Sequence, residues 1–200
     1  FIVSAPSGAG KTSLLRELVP ADGRLVMSVS HATRAMRPGE EQGVHYHFVS
    51  VERFEQLVGE GAFLEHARVF DNYYGTAEQT VRRQLDAGLD VVLEIDWQGA
   101  QQVRSAKPDC ITVFILPPSR GELERRLRSR GTDTDEVIER RLRDALSDMS
   151  HWDEFDYVII NDDLDQAVAD LEAVLAGDGA RSSTADPELR QRIEAITDPL

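Results

Sequence analysis

The sequence is poor in several things, and each shortage removes a class of protein. It has a single cysteine, Cys110, in 200 residues, so no internal disulfide is open to it. That cysteine heads the apolar run Cys110-Ile111-Thr112-Val113-Phe114-Ile115-Leu116, which makes it a buried structural thiol and fits the reducing cytoplasm. No apolar stretch approaches the roughly 20 residues that span a bilayer. The N-terminus has neither a basic region nor a small-residue cleavage site, so no membrane partner is expected. The chain starts inside an apolar run without a methionine, and a few preceding natural residues are expected. Basic residues are also short: 22 Lys and Arg against 36 Asp and Glu give a net charge of -14. Such a surface repels a nucleic-acid polymer, so any nucleotide partner is a small one met by local basic clusters. Internal repeats and low-complexity blocks are absent.

What is present is enough for a core: 41% of residues are hydrophobic, which suits one domain, or one core with a small lobe. Apolar strand-like runs recur at Phe1 to Ser4, Leu25 to Val29, Val91 to Ile95, Ile111 to Leu116 and Tyr157 to Ile160. Short continuous runs separated by helical patterns predict a parallel sheet buried on both faces, hence the α/β class. Helices are predicted from Leu14 to Leu18, closed by Pro20; from Arg120 to Arg130, capped by Ser119; from Thr134 to about Met149; and from about Asp163, ending at Gly177. Between Arg34 and Gly88 glycines punctuate short polar and aromatic segments, which predicts a lobe of short antiparallel strands with one or two helices. The expected organisation is a P-loop core at 1–33 and 89–176 with a lid at about 126–141, an inserted lobe at 34–88, and a polar tail at 177–200. The tail reads as mobile, with a terminal helix at Pro187 to Ile196.

The most specific signal is at the start. Phe1-Ile2-Val3-Ser4 breaks into Ala5-Pro6-Ser7-Gly8-Ala9-Gly10-Lys11-Thr12-Ser13 and then into a helical pattern. A strand that turns through glycines into a helix headed by Lys-Thr presents backbone N–H groups, a helix N-terminus and an ammonium to one point, as a polyphosphate requires. Ala5 stands where the P-loop pattern has its first glycine, but Gly8 and Gly10 bracket the turn itself. Lys11 is expected to reach the β- and γ-phosphates of ATP, and the Thr12 hydroxyl to help hold Mg2+.

Other clusters read less sharply on residues alone. Glu94 and Asp96 end a strand-like run at i, i+2, so both face one way if the strand continues. Such acids are as often solvated or paired as functional. Arg125, Arg126, Arg128, Arg130, Arg140 and Arg141 gather positive charge in an acidic chain, yet a charge run is usually a solvated helix face. His45 and His47 would share a strand face, but no further Cys or His stands near to complete a zinc site. Trp97 and Trp152 read as packing.

Taken in order, Ser30-His31-Ala32-Thr33-Arg34-Ala35-Met36-Arg37-Pro38-Gly39-Glu40, Tyr46, Glu65, Asn72-Tyr73-Tyr74-Gly75-Thr76, Asp96-Trp97-Gln98-Gly99, Pro117-Pro118-Ser119, Arg130-Gly131-Thr132 and Asn161-Asp162-Asp163 resemble the guanylate kinase family from Phe1 to about Leu175. The resemblance implies a cytoplasmic enzyme of purine nucleotide metabolism that transfers phosphate from Mg-ATP to GMP, with dGMP a further acceptor. It implies that Arg34, Arg37, Tyr46 and Tyr74 hold the GMP phosphate, and that Glu65 reads guanine with Ser30, Thr76 and Glu94. The family usually has aspartate at the position of Glu94. It further implies that Ser7 to Ser13 and Asn161 meet ATP, that Asp96 joins Thr12 at Mg2+, and that Lys11, Arg37, Arg126, Arg130 and Arg141 neutralise the transferring group. Asn161 could equally cap the turn after its strand. Closure of the lobe and of the segment around Gly131 over the substrates is expected. The rival reading is a non-catalytic guanylate-kinase-like interaction domain, which loss of the P-loop lysine would mark; a P-loop kinase for another acceptor is a second rival.

Overall fold

A computed structural model describes residues 1–21, 23–69, 71–129 and 134–197. The readings made for Arg130, Gly131 and Thr132 lie outside these described residues. Along the chain the elements are β1 (Ile2–Ser4), α1 (Lys11–Ala21), β2 (Leu25–Met27), β3 (His31–Ala32), β4 (His47–Phe48), α2 (Val51–Gly59), β5 (Phe63–Val69), β6 (Asn72–Ala77), α3 (Glu78–Asp86), β7 (Asp90–Glu94), α4 (Trp97–Ala106), β8 (Thr112–Leu116), α5 (Arg120–Ser129), α6 (Asp135–Met149), β9 (Tyr157–Ile160), α7 (Leu164–Leu175) and α8 (Pro187–Thr197). The class is α/β, with parallel strands flanked by helices and a second, mixed sheet. All five predicted apolar runs are strands. Two units divide the contacts.

The first unit comprises Phe1, Val3–Asp22 and Ile111–Leu200. Its strands run in the order β1-β8-β9, and β8 pairs with β9 in parallel from Val113↔Tyr157 to Leu116↔Ile160. Every residue of β1 and β8 is buried, as a strand covered on both faces requires. The helices start where capping side chains meet the first orphan N–H groups. Ser119 Oγ accepts from Glu122 N at 3.1 Å, Thr134 Oγ1 from Val137 N at 3.4 Å and Asp163 Oδ1 from Gln166 N at 2.9 Å. Gly177, with φ +82°, ends α7 in the left-handed conformation that suits glycine. Pro20 falls in the last turn of α1 rather than after it.

The second unit comprises Ile2 and Gly23–Cys110. In it β2 and β7 pair in parallel, Leu25↔Asp90 to Met27↔Val92, and a separate four-stranded sheet has the order β4-β3-β6-β5. That sheet is not wholly antiparallel as expected. β3 pairs antiparallel with β6 but parallel with β4, because the long segment 33–46 carries the chain back before it pairs. Phe54 of α2 is fully buried and stacks on Phe63 and Tyr73 at 4.7 and 5.5 Å between ring centroids. His45 lies before β4 and accepts from Glu41 N through Nδ1, so it does not share a strand face with His47.

In the C-terminal segment the terminal helix expected at Pro187 to Ile196 is α8, Pro187–Thr197, and it carries a buried face as well as polar ones. Asp186 Oδ1 caps α8 by accepting from Leu189 N at 2.8 Å. Leu189 and Ile193, one turn apart, are buried, and Arg120 donates to the Ile196 and Thr197 carbonyls. Two apolar residues at i, i+4 are enough to dock a short helix whose other faces are charged. Replacing Ile193 by Ala should therefore cost about 2–5 kcal/mol, whereas Ala at exposed Arg192 should change stability by less than about 0.5 kcal/mol. Thermal and urea melts of the two variants check this; equal stabilities would mean that α8 does not contribute to the core.

Candidate functional site

In the first unit the predicted phosphate turn has the required backbone. Gly8 and Gly10 have φ +93° and +95°, values that side-chain-bearing residues rarely adopt. Between them Ala9 is fully buried and its N–H donates to the Pro6 carbonyl at 3.2 Å. The Gly10 carbonyl then accepts from Leu14 N at 3.1 Å, so the turn itself opens α1, with Lys11, Thr12 and Ser13 in the first helical turn. Acidic residues are absent from that first turn, whereas α2 and α3 each carry one there and α6 carries two. The positive end of the α1 dipole is thus not offset by an acid of its own first turn.

Side chains from two other elements fix this turn. Asn161, buried just after β9, donates through Nδ2 to the Ala9 carbonyl at 2.7 Å. Arg126 of α5 donates through Nη1 to the same carbonyl at 3.4 Å and through Nη2 to the Asn161 carbonyl at 2.9 Å. Its Nε is held by Glu122 at 2.7 Å. Leu123 and Leu127 of α5 pack where a Cβ on Gly8 would stand, at 3.0 and 3.1 Å. Arg126 and Asn161 are thereby brought to the phosphate turn; Arg141 sits half-buried on α6. Glu122 was not found by sequence reasoning, although its i, i+4 spacing to Arg126 was a signal.

In the second unit three of the expected residues form one hydrogen-bonded chain. Thr76 Oγ1 donates to Glu65 Oε1 at 2.5 Å. Ser30 Oγ lies 3.4 Å from Thr76 Oγ1, and since Thr76 spends its proton on Glu65, Ser30 is the donor of that pair. The cross-strand register Glu65↔Thr76 aligns them. All three side chains are buried. Burial pushes the Glu65 carboxyl up to about 7, against the Thr76 hydrogen bond and with the help of nearby Asp96.

A second cluster gathers the expected anion clamp. Arg34 lies over the rings of Tyr46 and Phe48, 4.9 and 5.3 Å from their centroids, and Tyr46 meets Tyr74 edge-on at 6.0 Å. Burial, reinforced by the charge of Glu94, pushes the Tyr46 phenol up to about 12. The Arg34 guanidinium makes a two-point pair with Glu40, Nη1 to Oε2 at 2.7 Å and Nη2 to Oε1 at 2.5 Å. Glu40 also accepts from the Arg37 backbone N–H at 2.7 Å. Those hydrogen bonds hold the Glu40 carboxyl down at about 2. Arg37 itself is exposed. Glu40 is a residue that sequence reasoning missed, and its only signal was an acid after the Pro38-Gly39 turn.

The paired acids after β7 do not stay on one strand face. The strand ends at Glu94, and Asp96 becomes the N-cap of α4, its Oδ1 accepting from Gly99 N at 2.9 Å and its Oδ2 from Gln98 Nε2 at 3.1 Å. The strand on which a shared face depended does not continue to Asp96, whose carboxylate meets the N-terminus of α4 instead. The hydroxyl of Thr12 and the carboxylate of Asp96 are hard oxygen donors of the kind Mg2+ takes. Among the described residues no group of three or more His, Cys, Asp or Glu side chains could hold a metal ion.

Comparison with known proteins follows the same lines. A family model described as Guanylate kinase matches residues 1–178. The guanylate kinase of Alkalilimnicola ehrlichii is 55% identical over 196 residues, covering 98% of this chain and 97% of that protein. That of Aliivibrio fischeri is 52% identical over 198 residues, covering 98% and 96%. Among solved structures, the crystal structure of guanylate kinase from Anaplasma phagocytophilum matches with a TM-score of 0.71 at 32% identity, covering all of this chain and 95% of that one.

The raised Glu65 carboxyl has a stability consequence. An unfolded glutamate titrates near 4.5 and the folded one near about 7, so the folded state binds the extra proton between those values. The stabilisation from this group is complete below about pH 4.5 and is lost as pH rises through about 7. A carbon NMR titration of the Glu65 carboxyl should show its midpoint near 7, and Thr76→Val should move it higher still by removing the donor. A midpoint near 4.5 in the unaltered protein would contradict the buried environment.

Proposed function

The chain belongs to the guanylate kinase family, and on that basis we propose how its own residues divide the transfer of a phosphoryl group from ATP to GMP. It is a GMP kinase. A phosphate oxygen of GMP attacks the γ-phosphorus, the bond from that phosphorus to the bridging β-oxygen breaks, and ADP and GDP leave. The nucleophile is already an anion, so no protein base is needed, and positioning with charge neutralisation carries the rate.

On the donor side, the turn from Ser7 to Ser13 cradles the ATP phosphates with its backbone N–H groups, and Lys11 adds a point charge at the γ-phosphate. Arg126, Arg130 and Arg141 offset the charge that spreads over the transferring oxygens. Asn161 contributes by holding the Ala9 carbonyl, which keeps the turn in shape next to the nucleotide. Thr12 and Asp96 are the residues proposed to hold Mg2+, which when bound with ATP would supply charge neutralisation at its phosphates.

On the acceptor side the observation that carries the reading is Glu65. A carboxylate can accept from both the ring N–H and the exocyclic amino group of guanine, and adenine has neither donor on that edge. The Ser30-Thr76-Glu65 chain aims it. Glu94 adds a further contact to the purine side. Arg34, Arg37, Tyr46 and Tyr74 take the GMP phosphate, with Glu40 orienting Arg34 through both of its terminal nitrogens. Domains at 1–33 with 89–176, at 34–88 and at 177–200 remain the proposed functional division. dGMP is proposed as a second acceptor, and purine nucleotide metabolism in the cytoplasm as the setting. Lys11, Thr12 and Arg126 are retained, which argues against a non-catalytic interaction domain.

A coupled ADP-release assay with GMP, dGMP, AMP, CMP and UMP tests this. GMP and dGMP should turn over well and AMP up to about 10,000-fold worse in kcat/KM, since a site with buried polar groups rejects a ligand that cannot pair them. Lys11→Ala should lower kcat by orders of magnitude in a folded protein. Comparable turnover of AMP and GMP would remove the guanine-reading role of Glu65.

A further inference from the structure

Glu65 owes its position to a helix as well as to its own sheet. The first turn of α4 contains Gly99, whose N–H is held by the capping Asp96. A Cβ on Gly99 would lie 2.6 Å from Glu65 Oε2 and 3.2 Å from its Cδ, closer than carbon and oxygen can approach. The backbone of Gly99 needs no left-handed conformation, since its φ is not among the positive ones. The reason for glycine at this site is therefore space for the carboxylate. Alanine would be the better helix former, so helix stability alone argues for the opposite residue.

One turn further along α4, Gln102 reaches the neighbour of Glu65. Its Oε1 accepts from His66 N at 3.1 Å and its Nε2 donates to the His66 carbonyl at 2.8 Å. The side-chain amide thus occupies both backbone groups of one residue on β5, the edge strand of its sheet, as a neighbouring strand would. The anchoring falls where the sheet is least regular, because the β5–β6 register shifts between Phe63 and Glu65. A strand with such an irregularity can slide or twist locally, and the two bonds from Gln102 pin it one residue past the carboxylate.

We propose that α4 acts as a template for guanine recognition, with Gly99 and Gln102 as positioning residues that set where the Glu65 carboxylate stands. Gly99 leaves room for Oε2, and Gln102 fixes the strand that carries it. The inference rests on the reading of Glu65 as the guanine acceptor. Two parallel hydrogen bonds to one carboxylate demand its direction as well as its presence, and a misplacement of about 1 Å can cost roughly 100-fold in rate.

The test compares Gly99→Ala, Gln102→Leu and Glu65→Gln with the unaltered chain. It measures the GMP-to-AMP ratio of kcat/KM, KM for ATP, thermal midpoints and the carbon NMR signal of the Glu65 carboxyl without nucleotide. Gly99→Ala should lower the ratio by roughly ten- to hundred-fold, mainly through KM for GMP, while KM for ATP stays within about twofold and the thermal midpoint does not fall. Gln102→Leu should lower the ratio in the same direction, and both variants should shift the Glu65 carboxyl signal. An unchanged ratio in Gly99→Ala and Gln102→Leu beside a lowered ratio in Glu65→Gln overturns the template and leaves the Glu65 reading standing. An unchanged ratio in all three overturns both. Equal loss of GMP and AMP turnover in Gly99→Ala also overturns it, because general damage does not discriminate bases.

Discussion

Burying a carboxylate raises the free energy of its ionised form, and the surroundings of Glu65 offset that only in part. Thr76 donates from its hydroxyl and from its backbone, while Asp96 stands near enough to push the other way. Left to itself the group sits at the border of protonation near neutral pH. On the proposed reading, a base that brings two N–H donors adds hydrogen bonds that favour the ionised carboxylate. Much of the second unit serves that one group: the β5–β6 register supplies Thr76, Ser30 leads into β3 behind it, and α4 closes over its other oxygen.

The same logic governs the cations. A chain of net charge -14 must hold two anionic nucleotides, and on the proposed reading it does so with arginines whose directions are set by carboxylates of the chain itself. Glu40 takes two nitrogens of Arg34, and Glu122 takes Nε of Arg126. Both pairs are largely covered, their side chains 10–23% exposed, and besides any stability they contribute they set a direction. Arg126 shows the result: with Nε engaged, its terminal nitrogens face the carbonyls of Ala9 and Asn161 beside the phosphate turn. Pre-orientation lowers the entropy lost when a phosphate arrives, at the cost of a competing anion near the guanidinium.

What could be read from the sequence was what depends on neighbours along the chain. The glycines and Lys11 announced the phosphate turn, continuous apolar runs announced the parallel strands, and Ser119, Thr134 and Asp163 announced helix starts. Each of those is settled within a few residues. The misreadings came from pairings that no local pattern encodes. Parallel pairing of β3 with β4 depends on the path of residues 33–46, and the docking of α8 depends on Leu189 and Ile193 finding a buried surface. Asp96 looked like the end of a strand because its capping role is decided by Gly99, three residues on. Gln102 carries no signal at all, since a glutamine on an exposed helix face looks the same whether or not an edge strand lies beside it.

Two glycines at helix starts illustrate the limit further. Gly10 and Gly99 both precede or enter a helix at a proposed substrate site, and a motif treats them alike. Gly10 needs its positive φ to turn the chain into α1, and a Cβ there would also collide with the Asn161 amide that holds the Ala9 carbonyl. Gly99 has ordinary helical backbone and needs only the missing Cβ. A side chain at Gly10 therefore strains the backbone and the packing together, and the phosphate turn loses shape with the fold around it. A methyl group at Gly99 meets the mobile end of a side chain, so the helix can keep its place while the carboxylate moves. On the proposed reading the first glycine serves folding and function at once, and the second serves function alone.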